Sequence, residues 1–184
     1  MNMYLYAEAA DLIPANIIPK ATTTKIKPAI KPILWSKNIT VPGKIKIIEE
    51  KAKENNLEDL ITTEVFDIRK KLPFDDQKFE GCYSHMLYCM ALSNSDLENL
   101  NDEICRILKP GGINIYTVRH TDDGDYKNGI HRGENLYEND GFIVHFFSKE
   151  KIKQLSKGFE VLDIEKFEEG KFPRKLFLVK NKKI

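Results

Sequence analysis

The sequence of 184 residues has no glycine in its first 42 positions, because all ten glycines lie at or after Gly43. It also lacks a Gly-x-Gly-x-Gly turn at any position. Such turns let the backbone approach a phosphate or nucleoside closely, since glycine has no Cβ atom. The absence argues against a nicotinamide-dependent oxidoreductase, which needs this turn for its dinucleotide.

Cysteine, unbalanced charge and long apolar runs are also scarce. Cys82, Cys89 and Cys105 form neither an even set nor a C-x-x-C pair, so we expect reduced thiols and no metal site, with Cys82 and Cys89 as buried small side chains. The net charge of +1 argues against a nucleic-acid partner. No run approaches the roughly 20 apolar residues of a membrane span, and the amino terminus lacks the pattern of a secretory signal. We therefore expect a cytoplasmic protein without a membrane partner.

The composition changes near residue 43. Five of the eight prolines precede this point, at positions 14, 19, 28, 32 and 42, and they disfavour regular helices and central strands. The sequence therefore predicts an atypical proline-rich leader over residues 1–43 and an α/β domain over residues 44–184. A frameshift, an alternative start or a gene fusion would each explain such a leader.

Helical and strand patterns alternate after the leader. The helices are predicted from Lys44 to Asn56, from a cap at Ser95 to a stop at Pro110, and from a cap at Ser148 to Gly158. The strands are predicted at residues 61–68, 79–87, 113–120, 159–167 and 174–180. This order predicts a doubly wound, mostly parallel α/β sheet with an antiparallel final strand.

Two motifs carry a family resemblance: "FDIRKKLPFDD" at residues 66–76 after a strand, and "CRILKPGG" at residues 105–112 before a strand. The chain also ends with a strand, a helix and two further strands. Together with this ending, the two motifs resemble the class I S-adenosylmethionine-dependent methyltransferases. The small-molecule and tellurite-resistance-like branch is the most similar. The resemblance covers about three quarters of the chain and implies a Rossmann-like methyltransferase sheet.

The resemblance also implies roles for particular residues. Asp67 would accept a hydrogen bond from the adenine amino group of S-adenosylmethionine, and the Ile68 N–H would meet an adenine ring nitrogen. Ser84 and His85 would lie near the methyl group. His85 is the candidate general base, with a role as a hydrogen-bonded pocket wall as the alternative.

The loop after the strand at residues 113–120 matches the place where this family carries substrate-covering insertions. The residues expected to shape an acceptor pocket there are Arg119, His120, Tyr126, His131 and Arg132. A solvated loop is the alternative. An EF-hand calcium loop does not fit the sequence, because Lys127 and Asn128 occupy its fifth and sixth positions.

The chain departs from the family pattern in its first part. The glycine-rich turn and the acidic residue that holds the ribose are both missing, so we expect weak or absent S-adenosylmethionine binding. The family's amino-terminal strands are missing or replaced, with residues 2–9 or 31–41 as substitutes. Two hypotheses remain open: methyl transfer to a small-molecule acceptor, or a truncated, non-catalytic remnant or binding module that cannot hold the cofactor.

Overall fold

The computed structural model describes residues 3–5, 33–35 and 49–184, except 63, 65 and 171–173. Within this part, residues 49–54 form helix α1, whose Ala52 is buried. Ile45 and Ile48 of the predicted first helix lie outside the described residues, as does most of the leader. The leader and the domain boundary at residue 43 therefore stay predictions.

The remaining elements follow in chain order. The strands are β1 (Met3–Leu5), β2 (Ile33–Trp35), β3 (Phe79–His85), β4 (Leu108–Arg119), β5 (Ile130–His131), β6 (Leu136–Asn139), β7 (Phe142–His145), β8 (Phe159–Glu169) and β9 (Arg174–Lys183). The helices are α2 (Asn94–Ile107) and α3 (Lys149–Leu155). None of the described helices is long and apolar enough to cross a membrane.

The main sheet has the strand order β3-β4-β9-β8. β3 and β4 are parallel, whereas β9 is antiparallel to both β4 and β8. This is the mixed, Rossmann-like α/β sheet that the sequence predicts, with an antiparallel final strand. Because β9 lies inside the sheet, its four consecutive residues Leu176–Val179 are all buried, as expected of a strand covered on both faces.

The amino-terminal side of the sheet differs from the predicted strand order. The strand predicted at residues 61–68 is wrong, since none of its described residues is in a strand. A strand needs a partner for its backbone hydrogen bonds, and β3 is the edge of the main sheet in the described part of the chain. β1 and β2, one from each suggested substitute segment, instead form a separate antiparallel pair.

Helix α2 begins two residues earlier than predicted. Ser93, not Ser95, is its N-cap: the Ser93 hydroxyl accepts from the Asp96 N–H at 3.1 Å, and the Asp96 carboxylate accepts from the Ser93 N–H at 2.9 Å. This reciprocal capping box satisfies two otherwise unpaired backbone donors. The predicted stripe of Leu97, Leu100 and Ile104 is buried and faces the sheet.

The "KPGG" segment lies at the beginning of β4, where the register with β3 shifts, and its glycines are required by the backbone. Gly111 has a φ of +74°, which side chains with a Cβ rarely adopt. A Cβ at Gly112 would lie 2.8 Å from the Lys109 carbonyl oxygen and 3.1 Å from that of Glu80. α2 ends at Ile107 and β4 begins at Leu108, which the sequence had placed in the helix.

The loop after β4 contains more structure than predicted. β5, β6 and β7 form a small antiparallel sheet between β4 and α3. The Ser148 hydroxyl then accepts from the Lys151 N–H at 3.2 Å, which confirms the predicted cap of α3. The small sheet is joined to the segment after β3 by a hydrogen bond from the His145 N–H to the Cys89 carbonyl.

Candidate functional site

The candidate site lies where the parallel strands β3 and β4 end. Ser84 is paired in register with Tyr116, and His85 with Thr117, so these ends meet at one edge of the sheet. In open α/β sheets, ligands bind outside the carboxyl ends of parallel strands. The sequence-predicted residues at positions 84, 85, 119 and 120 all lie at the ends of β3 and β4.

The "LPF" motif is fixed to helix α2 by one arginine. Arg106 donates to the Leu72 carbonyl at 3.0 Å and to the Phe74 carbonyl at 2.7 Å. Glu103 completes the clamp, because its carboxylate accepts from the Leu72 N–H at 2.7 Å and from Arg106. The motif therefore anchors the segment that follows Asp67, although no strand forms there.

Asp67 is held by a close neighbour in the chain. The Arg69 guanidinium donates to both carboxylate oxygens, at 2.9 Å from Nε and 2.7 Å from Nη2. The hydrogen bonds from Arg69 lower the pKa of Asp67 to about 2, against the opposing effect of partial burial. An adenine amino group would therefore have to share this carboxylate with Arg69 or displace it.

Ile68 is in the core, with 1% of its surface exposed. Its backbone N–H makes no hydrogen bond within the described part of the chain. Ser84 is completely buried, and its hydroxyl oxygen has no hydrogen-bond partner among the described residues. Buried polar groups without partners are uncommon and need an explanation, of which a ligand is one.

His85 lies in a network between Thr117 and Glu169. Thr117 Oγ1 is 2.9 Å from His85 Nδ1 and accepts from the Met86 N–H at 3.0 Å. The hydroxyl proton is thus free to be donated to Nδ1, which in a neutral ring leaves the proton on Nε2. Nε2 is 3.3 Å from Glu169 Oε2, close enough for an ion pair although without hydrogen-bond geometry.

Arg119 holds the turn that follows β4. Its side chain is 5% exposed and donates to Asp123, whose side chain is 2% exposed, and to Asp125 at 2.7 Å. Burial opposes ionisation of Asp123, but hydrogen bonds from Arg119 and the Asp125 and Lys175 amides lower its pKa overall. The guanidinium of Arg119 therefore donates its hydrogen bonds to carboxylates of the protein.

The other four loop residues are placed in separate surroundings. The His120 ring packs on Phe177 at 4.7 Å between ring centres, and burial lowers its pKa. Tyr126, His131 and Arg132 lie on or beside the small sheet of β5, β6 and β7. Within it, Tyr126 and His131 contact the Tyr137 ring, and Arg132 pairs with Glu138.

Sequence analysis missed Arg69, Thr117 and Glu169. Arg69 had a visible signal, because a basic residue two positions after a carboxylate can pair with it. Thr117 could have been found from the parallel register, since it follows from β3 and β4 ending together. Glu169 had no such signal. It reaches His85 from the end of β8, which lies at the opposite edge of the main sheet from β3.

The cysteine side chains and possible metal ligands were also compared with the sequence predictions. Cys82 and Cys89 are buried as predicted, and burial raises their thiol pKa values to about 12 and about 11. Such thiols are not ionised near neutral pH and are poor nucleophiles. In the described ranges, no three His, Cys, Asp or Glu side chains are grouped as metal ligands would be.

Comparison with known proteins identifies the fold first. A methyltransferase described as S-adenosylmethionine-dependent, from Methanosarcina mazei, has a TM-score of 0.65 and 17% identity, over 82% of this chain and 80% of that one. TehB from Haemophilus influenzae has a TM-score of 0.58 and 17% identity, over 82% and 49%. The fold is therefore that of class I S-adenosylmethionine-dependent methyltransferases.

Sequence comparison then identifies the family. A family model described as a methyltransferase domain matches residues 40–116. The chain is also 36% identical over 75 residues to 24-methylenesterol C-methyltransferase 3 of Arabidopsis thaliana, covering 36% of this chain and 20% of that protein. These matches, with the similar folds, confirm the predicted resemblance to the S-adenosylmethionine-dependent methyltransferases. The chain spans about a fifth of the length of this curated relative.

Some of the described residues have groups suited to the adenine end of S-adenosylmethionine, the cofactor that the family resemblance implies. An acceptor at Asp67, an unpaired buried N–H at Ile68 and an unpaired hydroxyl at Ser84 suit the adenine and its neighbouring groups. The sequence contains no glycine-rich turn for the methionine part and no matching carboxylate for the ribose.

Proposed function

We propose that this protein transfers a methyl group from S-adenosylmethionine to a small-molecule acceptor. The observation that carries the proposal is the completely buried Ser84 hydroxyl, which has no partner among the described residues and lies beside His85 at the carboxyl end of β3, within the matched methyltransferase domain. S-adenosylmethionine supplies an electrophilic methyl group on a sulfonium. Transfer from it needs positioning and exclusion of water more than acid–base chemistry.

Each of these residues has a role in the proposal. Asp67 accepts from the adenine amino group and the Ile68 N–H donates to the ring, while the buried Ser84 hydroxyl gains a partner. Thr117 positions the His85 ring through Nδ1. With the ring proton on Nε2, His85 is a pocket wall and a hydrogen-bond donor, and with the proton on Nδ1 its Nε2 can act as a general base.

The acceptor class is supported by similar structures. One of them is a 1,6-didemethyltoxoflavin-N1-methyltransferase from Burkholderia thailandensis with its substrate and S-adenosylhomocysteine, with a TM-score of 0.57, 13% identity and coverage of 73% and 56%. We infer a small organic acceptor here as well, bound near residues of the loop after β4 such as His120, Tyr126 and His131.

We also propose that cofactor binding is weak. Arg69 already occupies both oxygens of Asp67, and the contacts to ribose and methionine have no counterpart in the sequence. Each lost charge-assisted hydrogen bond costs about 1.5–3 kcal/mol, so two or three losses raise the dissociation constant at least about a hundredfold.

The test is production of S-adenosylhomocysteine by the full chain in the presence of S-adenosylmethionine and a panel of small acceptors, followed by mass spectrometry. We expect slow, acceptor-dependent production that Asp67→Ala reduces and the exposed control Asp75→Ala leaves unchanged. No production with any acceptor, together with binding that still depends on Asp67, would instead indicate a non-catalytic binding module.

A further inference from the structure

A second group of polar residues lies apart from Asp67 and His85, between the beginnings of α2 and α3. It surrounds a cavity of about 280 Å³, whose lining includes Asn94, Glu98, Asn135, Ser148 and Lys151. A cavity of this size is close to the lower end of the range for small-molecule sites. Lys151 is its only lysine or arginine among the described lining residues.

The hydrogen bonds of Lys151 are unusual for a lysine. Nζ donates to Asn94 Oδ1 and contacts His145 Nε2. His145 is completely buried, and its Nδ1 lies 2.7 Å from the Leu92 carbonyl, so Nδ1 carries the proton and Nε2 is an acceptor. No carboxylate forms an ion pair with Lys151 in the part of the chain that the structure describes.

This arrangement matches a neutral amine. An amine has two N–H bonds and one lone pair, and the two N–H bonds are satisfied by Asn94 and His145. An ammonium group has a third N–H, which makes no hydrogen bond to the described residues, although the Phe147 ring lies 5.2 Å from Nζ. The lone pair of the neutral amine then remains available on a residue that lines the cavity.

The charges around Lys151 agree with this geometry. Burial lowers its pKa from 10.5 to about 8, against the weaker opposing effects of Glu134 and Glu98. Burial and the neighbouring Lys151 lower the pKa of His145 to about 4, so His145 stays a neutral acceptor near pH 7. A desolvated lysine in such a pocket is an activated nucleophile for carbonyl compounds.

We propose that Lys151 forms an imine with small, uncharged aldehydes or ketones that enter this cavity. The lone pair of Nζ forms a bond to the carbonyl carbon, and the carbonyl π electrons move to oxygen. The nitrogen then loses its two protons and the oxygen leaves as water, which gives a C=N bond without oxidation or reduction. Glu98 and Glu150 at the cavity wall favour an uncharged ligand over an anionic one.

The test uses the full chain, propanal as the probe and sodium cyanoborohydride to reduce the imine, with digestion and mass spectrometry to measure labelling of each lysine. Lys149 and Lys153 are exposed on the same helix and are internal controls. A pKa of about 8 instead of 10.5 raises the free-amine fraction at pH 7 about 300-fold. Allowing for restricted access, we expect at least about tenfold faster labelling of Lys151.

Two further results distinguish a site from a merely reactive surface amine. Labelling of Lys151 should saturate with propanal concentration and level off above about pH 8, whereas labelling of Lys149 and Lys153 should increase in proportion to concentration. Asn94→Leu, which removes one acceptor, should change the Lys151 rate at least several-fold and leave the controls unchanged. Equal, unsaturable labelling of the three lysines in the native protein would overturn the proposal.

Discussion

Two arginine–carboxylate groups, one in the segment before β3 and one at the end of β4, differ in their exposure to water. Arg119 and Asp123, after β4, have side chains that are 5% and 2% exposed. Arg69 and Asp67, before β3, have side chains that are 49% and 28% exposed. A buried charge without its partner is costly, whereas water replaces a lost partner at the surface. The first group therefore stabilises the fold, and the second leaves a carboxylate that a ligand can compete for.

The largest difference should appear when each arginine is removed. Arg119→Met leaves Asp123 buried without its guanidinium, so we expect a loss of about 3–5 kcal/mol in the free energy of unfolding. Arg69→Met should lose less than about 1 kcal/mol, because both partners are exposed. Urea unfolding of the two variants measures this contrast, and similar losses would show that the two pairs are equivalent.

The pH dependence of the unfolding free energy tests the buried state of His145, at the end of β7. Its folded pKa of about 4 is below the unfolded value of 6.5, so the unfolded chain binds more protons between these values. The unfolding free energy should therefore fall as the pH falls from about 6.5 to about 4, by up to about 3 kcal/mol. His145→Asn should remove this part of the dependence.

The exposed His131, changed to Asn, is the matched control for this titration, because it lies on strand β5 of the same small sheet. It should retain the pH dependence of the native protein. Equal slopes for the native protein and His145→Asn would contradict a buried, neutral His145.

Arg106 provides an intermediate case, with a side chain that is 19% exposed. Arg106→Met removes the donors to the Leu72 and Phe74 carbonyls, and we expect a loss of about 2 kcal/mol in the free energy of unfolding. Faster amide exchange at residues 66–74 should accompany the loss. A change below about 0.5 kcal/mol would mean that Phe66, Phe74 and Phe79 hold the segment by apolar contacts alone.

The sequence predicted the second half of the fold better than the first. β3, α2, β4, β8 and β9 follow from local periodicity and from the "KPGG" turn, whose backbone needs glycine. Residues 61–68 alternate like a strand, but periodicity does not reveal whether a partner strand exists. The small sheet of β5, β6 and β7 was missed because its strands are short and lie among polar residues.

The candidate site was predicted as a set of residue positions but not as a set of contacts. Asp67 and His85 were found from the family resemblance. Their partners Arg69 and Glu169 were not, because a side chain's choice of partner depends on tertiary placement. For the same reason, Arg119 was expected to face an acceptor, whereas in the structure it binds Asp123 and Asp125.

The most direct test of the account is calorimetric titration of S-adenosylhomocysteine into native protein, Asp67→Ala, Arg69→Met and Asp75→Ala, after thermal melts show that all four are folded. We expect weak binding by the native protein, a further loss of about 1.5–3 kcal/mol for Asp67→Ala, and no change for Asp75→Ala. Arg69→Met should bind more tightly, by up to about 1 kcal/mol, because adenine no longer competes with the guanidinium. Equal affinity of the native protein and Asp67→Ala, or no binding by any of the four, would contradict an adenine site at Asp67.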